Sequence, residues 1–245
     1  MSLILDDLNS YLALRYTEGA KLTDLKIAHF AKNFEDYQDL QIQSACLDRY
    51  LGFSIESIEK ALVNEAKSLA PDSHIEGWSE ALHGAQTWVG LSPSQLQTPY
   101  FELIEILDKL SPDQKTIIDL GAAYGRLGVL IGLFYPQLKF LGIELVKERV
   151  SEAQRIFSHY NFANAQMLVS DTTEKVPKGD VYFVYDFGSH HEILELINIF
   201  SEKADRGEKF QIIARGSAIN SLIIRHAPWL IKSKEDFFAS SLYDC

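Results

Sequence analysis

Residues 116–128 read TIIDLGAAYGRLG. A short apolar run, Thr116–Leu120, passes through a small-residue turn into a second apolar run, Arg126–Phe134. A strand that turns in this way into a helix brings backbone N–H groups and a helix N-terminus to one point, a natural seat for a nucleotide-like ligand. The dinucleotide spacing G-x-G-x-x-G, started at Gly121, meets Ala123 and Arg126 and fits poorly. The spacing acid-x-Gly-x-Gly-x-Gly maps better, onto Asp119, Gly121, Ala123 and Gly125, with alanine at one glycine position. A carboxylate at Asp119 would repel a pyrophosphate held at the helix N-terminus and favour a cationic ligand without phosphate. Downstream, Glu144 ends the apolar segment Lys139–Ile143, near the spacing at which a second-strand acid accepts hydrogen bonds from both hydroxyls of a ribose diol. Nicotinamide enzymes use the same device, so Glu144 implies an adenosine ligand without naming it.

A phosphate-free adenosyl compound carrying an ammonium and a sulfonium is S-adenosyl-L-methionine (SAM). On Asp119, Gly121, Ala123, Gly125 and Glu144 the chain, over roughly Leu96 to Cys245, resembles the class I SAM-dependent methyltransferases. The resemblance implies a mostly parallel seven-stranded α/β sheet with helices on both faces. It places Asp171, just past the strand Ala165–Val169, beside the adenine amino group, where an Asx-turn is the alternative reading, and Thr172 is a further candidate cofactor contact. It places the tip of Asp180–Tyr185, which continues Asp186-Phe187-Gly188-Ser189-His190-His191, where the acceptor meets the methyl group. Asp186 is a candidate for the acceptor amine or the SAM ammonium, Phe187 for the methyl-bearing cation, and His190 for a base. Ser189 and Glu192 also form a capping box, which would leave the two histidines in a helix's first turn. Gln97-Thr98-Pro99-Tyr100-Phe101 is loosely similar to the segment before motif I in non-SET protein-lysine methyltransferases, without their Tyr-Gly-Glu-Thr wording. It makes Thr98 a candidate cofactor contact and Tyr100 a candidate catalytic residue.

Further elements must position these groups. Lys147–Tyr160 reads as a helix with Val150, Ala153, Ile156 and Phe157 on one side. Lys209–Arg215 reads as a fifth strand and Ile219–Ala227 as a helix ended by Pro228. Trp229–Ser233 and Phe237–Tyr243 read as a closing antiparallel pair. Ser92-Pro93-Ser94-Gln95 and Thr98-Pro99 read as helix caps before the first strand. Residues 6–91 have helical spacing throughout. Ile27, Phe30, Ala31, Phe34 and Tyr37 fall on one face. Ile55, Ile58, Leu62, Ala66 and Leu69 form a stripe behind the N-cap Ser54, broken at Pro71. Trp78 and Trp88, flanked by glycines, are placed at a domain junction. The expected organisation is a helical N-terminal domain or cap over residues 1–91 and a SAM-binding domain over 92–245.

Bulk composition narrows the function classes. The chain has 245 residues, 47% of them hydrophobic, and a formal net charge of −11. Residues 1–112 hold 17 acids against 8 bases, which disfavours nucleic acid and suits a basic protein or small amine as methyl acceptor. No apolar run approaches the roughly 18 residues of a membrane span. Cys46 and Cys245 make neither a disulfide framework nor a metal site, and with no basic flank at the N-terminus a cytoplasmic protein is expected. The reading is a SAM-dependent methyltransferase acting on a protein lysine or another amine. Small-molecule N- or O-methylation, a non-catalytic SAM-binding module and a nicotinamide oxidoreductase stand as alternatives.

Overall fold

The computed structural model describes residues 37–69, 89, 91, 93–172, 174, 176–237 and 240–245. The expected helical face at Ile27–Phe34, the break at Pro71, the cap at Ser92 and the Trp78 and Trp88 segments lie outside them. Two helices come first, α1 (Tyr37–Tyr50) and α2 (Ile55–Leu69), then a short α3 (Pro93–Leu96) and α4 (Tyr100–Asp108). The α/β part follows as β1 (Thr116–Leu120), α5 (Arg126–Phe134), β2 (Lys139–Glu144), α6 (Lys147–His159), β3 (Ala165–Val169) and β4 (Val181–Tyr185). It ends with α7 (His190–Asp205), β5 (Gln211–Arg215), α8 (Ser217–His226), β6 (Ile231–Phe237) and β7 (Ser240–Asp244).

The strands form one sheet in the order β3-β2-β1-β4-β5-β7-β6. The first five are parallel, and β7 runs antiparallel between β5 and β6. Parallel strands need crossover helices, and those helices bury both faces of the sheet. Alternation along each strand divides the core. Ile117, Phe140 and Phe183 face one layer with Leu103, Leu127 and Phe157. Ile118, Leu120, Tyr182 and Val184 face the other with Leu196, Phe200 and Leu222. Leu47 of α1, Leu51 and Phe53 just after it, and Ile55 of α2 join the first layer, so the N-terminal helices extend the core of the sheet.

The closing pair sits a few residues from its expected place, because β6 begins at Ile231 and β7 at Ser240. Leu69, expected in the buried stripe of α2, is 58% exposed at the end of that helix. Thr98 does not cap α4. Pro99 occupies the N-cap without a side-chain bond, and the N–H of Tyr100 donates instead to Ser44 Oγ of α1 at 3.1 Å. The terminal donor that the sequence assigned to a local hydroxyl is thus satisfied by a neighbouring helix.

Candidate functional site

In an open α/β sheet, ligands seat outside the carboxyl ends of the strands where the strand order reverses. Here the reversal lies between β1 and β4, and a cavity of about 250 Å3 opens there. The tips of β1, β2, β3 and β4 supply most of its wall, and Gln95 and Leu96 of α3 also line it.

The β1 turn is shaped by backbone conformations that favour glycine. Gly121 has φ 81° and Gly125, the N-cap of α5, has φ 69°. A Cβ on Gly125 would sit 3.0 Å from Phe157 and 3.1 Å from Met167 Sδ. Ala123, which replaces a glycine of the expected spacing, still takes φ 47°. Its N–H donates to Glu144 Oε2 at 2.8 Å, so the β2 acid secures this turn. Glu144 Oε1 accepts from the N–H of Val146 at 2.9 Å. Each carboxylate oxygen has two lone-pair sites, so one remains on each for a pair of ligand hydroxyls.

Gly121, Ala123, Glu144, Asp171, Thr172 and Asp186 all line the cavity. Gly125 lies behind the turn, packed against Phe157 and Met167. Asp119 is buried and is not among the lining residues. Burial, and then the negative charge of Glu144, push its carboxyl up to about 8. Asp119 is therefore mostly protonated at neutral pH, and the expectation that its charge alone repels a phosphate is corrected. Selectivity by charge falls to the wall itself.

Three candidates sit elsewhere than expected. Tyr100 is fully buried away from the cavity, with its hydroxyl donating to Asp48 Oδ1 at 2.8 Å. Burial and the Asp48 charge hold that phenol well above its ordinary range, which leaves it no role as a base. Thr98 is buried beside it. Its carbonyl accepts from Arg126 Nη1 at 3.2 Å, and its hydroxyl has no hydrogen-bond partner among the described residues. His190 is exposed in the first turn of α7 and does not line the cavity. The capping box of Ser189 and Glu192 is formed, as the alternative reading expected. Asp186 is at the wall, but its oxygens accept from the N–H groups of Ala218 (3.2 Å) and Ile219 (2.8 Å), which fixes it as the anchor of α8.

Other wall residues were not singled out by sequence reasoning. Tyr185, at the tip of β4, lines the cavity with the Arg215 guanidinium 4.2 Å from its ring centre. Glu192 lines it beside Phe187. Arg149 also lines it, with Nε donating to Glu59 Oε1 at 2.8 Å and Nη2 to Glu59 Oε2 at 3.1 Å. Position at the end of β4 was the available signal for Tyr185. Arg149 carried none, since a basic residue one turn into a helix reads as solvated surface.

Four acidic residues, Glu144, Asp171, Asp186 and Glu192, thus line the cavity among the described residues, against one arginine that is already paired; the Asp186 and Glu192 carboxylates also accept backbone N–H groups at the starts of α8 and α7. Among the described residues such a wall favours a ligand carrying positive charge over a pyrophosphate. The lone-pair sites left on Glu144 suit a diol. The residues present fit an adenosyl sulfonium compound.

No protein-family model matches the chain, and no curated protein matches it by sequence. Among solved structures it is similar to an RNA methyltransferase from Salinibacter ruber in complex with S-adenosyl-L-homocysteine. Identity there is 15%, over 60% of this chain and 91% of that one, with TM-score 0.44. A SAM-dependent methyltransferase from Aquifex aeolicus aligns at 18% identity over 62% of this chain and 92% of that one, with TM-score 0.43. The O-methyltransferase from a trans-AT PKS multienzyme of Brevibacillus brevis, in complex with S-adenosyl-L-homocysteine, aligns at 15% identity over 47% of this chain, with TM-score 0.40. This chain spans only 39% of the length of that last protein. The sheet itself, five parallel strands closed by an antiparallel pair with a cavity at the reversal of strand order, gives the chain the class I methyltransferase fold.

Proposed function

We propose that the protein is a SAM-dependent methyltransferase whose acceptor is an amine, with a protein lysine as first choice. One observation carries the reading: among the described residues, four acidic residues and one arginine, already paired, line a cavity at the strand tips. Bound SAM would supply an electrophilic methyl group. Glu144 would hold its ribose, Asp171 its adenine, and the Gly121–Gly125 turn would leave room for the chain between them.

The acceptor side of the cavity is the β4 tip. Tyr185 and Phe187 line it there, with the acidic residues Asp186 and Glu192, whose carboxylates also hold the starts of α8 and α7. An ammonium is drawn to such a surface. Transfer needs the neutral amine, so its proton must pass to a wall carboxylate or to water before nucleophile and methyl carbon align. The acidic balance of residues 1–112 would help to gather a basic protein substrate. In this reading residues 1–91 form a helical cap on a SAM-binding domain of residues 92–245.

Calorimetric titration with S-adenosyl-L-homocysteine and with NADH tests the ligand. Preference for NADH would overturn the reading. Incubation with methyl-labelled SAM and lysine-rich protein tests the reaction, and label in methyl-lysine after hydrolysis is the expected result. Label confined to small molecules would reassign the acceptor, and binding without any transfer would make the protein a SAM-binding module.

A further inference from the structure

Arg149 and Glu144 are neighbours at the cavity wall, yet Arg149 Nη1 stands 3.9 Å from Glu144 Oε1. That is ion-pair range but beyond a hydrogen bond. A guanidinium and a carboxylate so close ordinarily close into a two-bond fork. Glu59 of α2 holds the other edge of the guanidinium through two bonds, and Glu59 Oε1 also accepts from the Tyr124 hydroxyl at 2.8 Å. Glu59, Arg149 and Glu144 are all buried, so these bonds are little screened by solvent.

We propose that Glu59 is a positioning residue for the ligand site, and this rests on the adenosyl reading given above. By gripping Arg149 side-on, Glu59 keeps the guanidinium from taking the lone pairs on Glu144 that remain for a ribose diol. It also cancels a positive charge at the wall of a cavity built for a cation. The helix that carries Glu59 lies some ninety residues before Arg149, outside the sheet, so the N-terminal helices complete the ligand site without touching the ligand.

Binding of S-adenosyl-L-homocysteine and of its 2′-deoxy analogue to the full chain tests the idea. Glu59→Gln weakens the grip, so affinity for S-adenosyl-L-homocysteine falls about tenfold or more, and the preference over the deoxy analogue shrinks toward unity. Removing the guanidinium as well, in E59Q/R149M, leaves nothing to seize Glu144, and both affinity and diol preference return toward wild type. A merely structural role would lower both ligands' affinities alike and would not be rescued in this ligand-specific way. Unchanged diol preference in E59Q, or its loss in the double variant, overturns the proposal. Failure of the wild-type protein to bind S-adenosyl-L-homocysteine overturns the adenosyl reading itself, and is seen before any variant is made.

Discussion

Replacing Asp119 by asparagine gives the most direct test of the electrostatics beneath the cavity. The Asp119 carboxyl is 6% exposed, and burial, then Glu144, raise it to about 8. An aspartate in the unfolded chain titrates near 3.9. Between those values the folded protein keeps a proton that the unfolded chain has lost. Folding stability then falls as pH rises, by at most about 1.4 kcal/mol per pH unit, and the slope flattens once the folded group ionises near 8. The contribution is fully present below about pH 4 and is lost through the folded value. Asparagine has nearly the shape of the protonated acid and no such slope. From pH 6 to pH 8, Asp119→Asn should gain on the wild type by about 2–3 kcal/mol. Urea unfolding of both proteins without ligand, at half-unit steps from pH 5 to 8.5, measures the difference directly and cancels the titrating groups that do not interact with Asp119. Parallel stability curves would refute the view that this carboxyl is held neutral by burial.

Three more outcomes follow from the same packing. Arg126→Met leaves Asp48, 4% exposed, without its cation, and should cost about 3–5 kcal/mol in denaturant unfolding; adding Asp48→Asn should recover much of it. Gly142→Ala puts a Cβ 2.8 Å from Ala122 Cβ and closer still to Met167 Sδ, so thermal unfolding should report a loss of about 1–3 kcal/mol. His190→Ala alters an exposed side chain outside the cavity. Stability should change by no more than about 0.5 kcal/mol, and a large fall in methyl transfer would return His190 to the chemistry.

The strands and their tips were legible because each signal is local. An apolar run of five or six residues ending in a turn residue or an acid marks β1, β2 and β3 to within a residue, and Gly121 and Gly125 mark the bend between β1 and α5. Ser189 and Glu192 are likewise a local pair, and their capping box forms as read. What stayed hidden depends on partners distant in the chain. Asp48 and Glu59 lie in helices with many polar residues, and nothing nearby distinguishes them from solvated acids. They are buried because Arg126 and Arg149 arrive 78 and 90 positions later. Tyr100 follows a Thr-Pro step and resembles a site residue locally, yet Asp48 draws its hydroxyl into the interface. The neutrality of Asp119 depends on the burial that surrounds it and on Glu144 from the next strand, so no reading of TIIDLG alone could supply it.

Three buried ion pairs share one pattern. Asp48 of α1 meets Arg126 at the start of α5, Glu59 of α2 meets Arg149 of α6, and Glu102 of α4 meets Arg215 at the end of β5. In each, the acid comes from a helix before β1 and the arginine from the α/β part. Net stabilisation from such pairs is small, because two charges must leave water, but a mismatched charge costs several kcal/mol. Their physical consequence is therefore register. A helix displaced by one turn would strand both its own carboxylate and the arginine it left. The arginines also stand around the cavity: Arg126 opens the helix after the glycine turn, Arg149 lines the cavity, and Arg215 lies against the Tyr185 ring that lines it. Docking the helices in one register thus fixes three points around the cavity at once. Helices α1 and α2, which among the described residues contribute no lining side chain, can in this way set the shape and charge of the site.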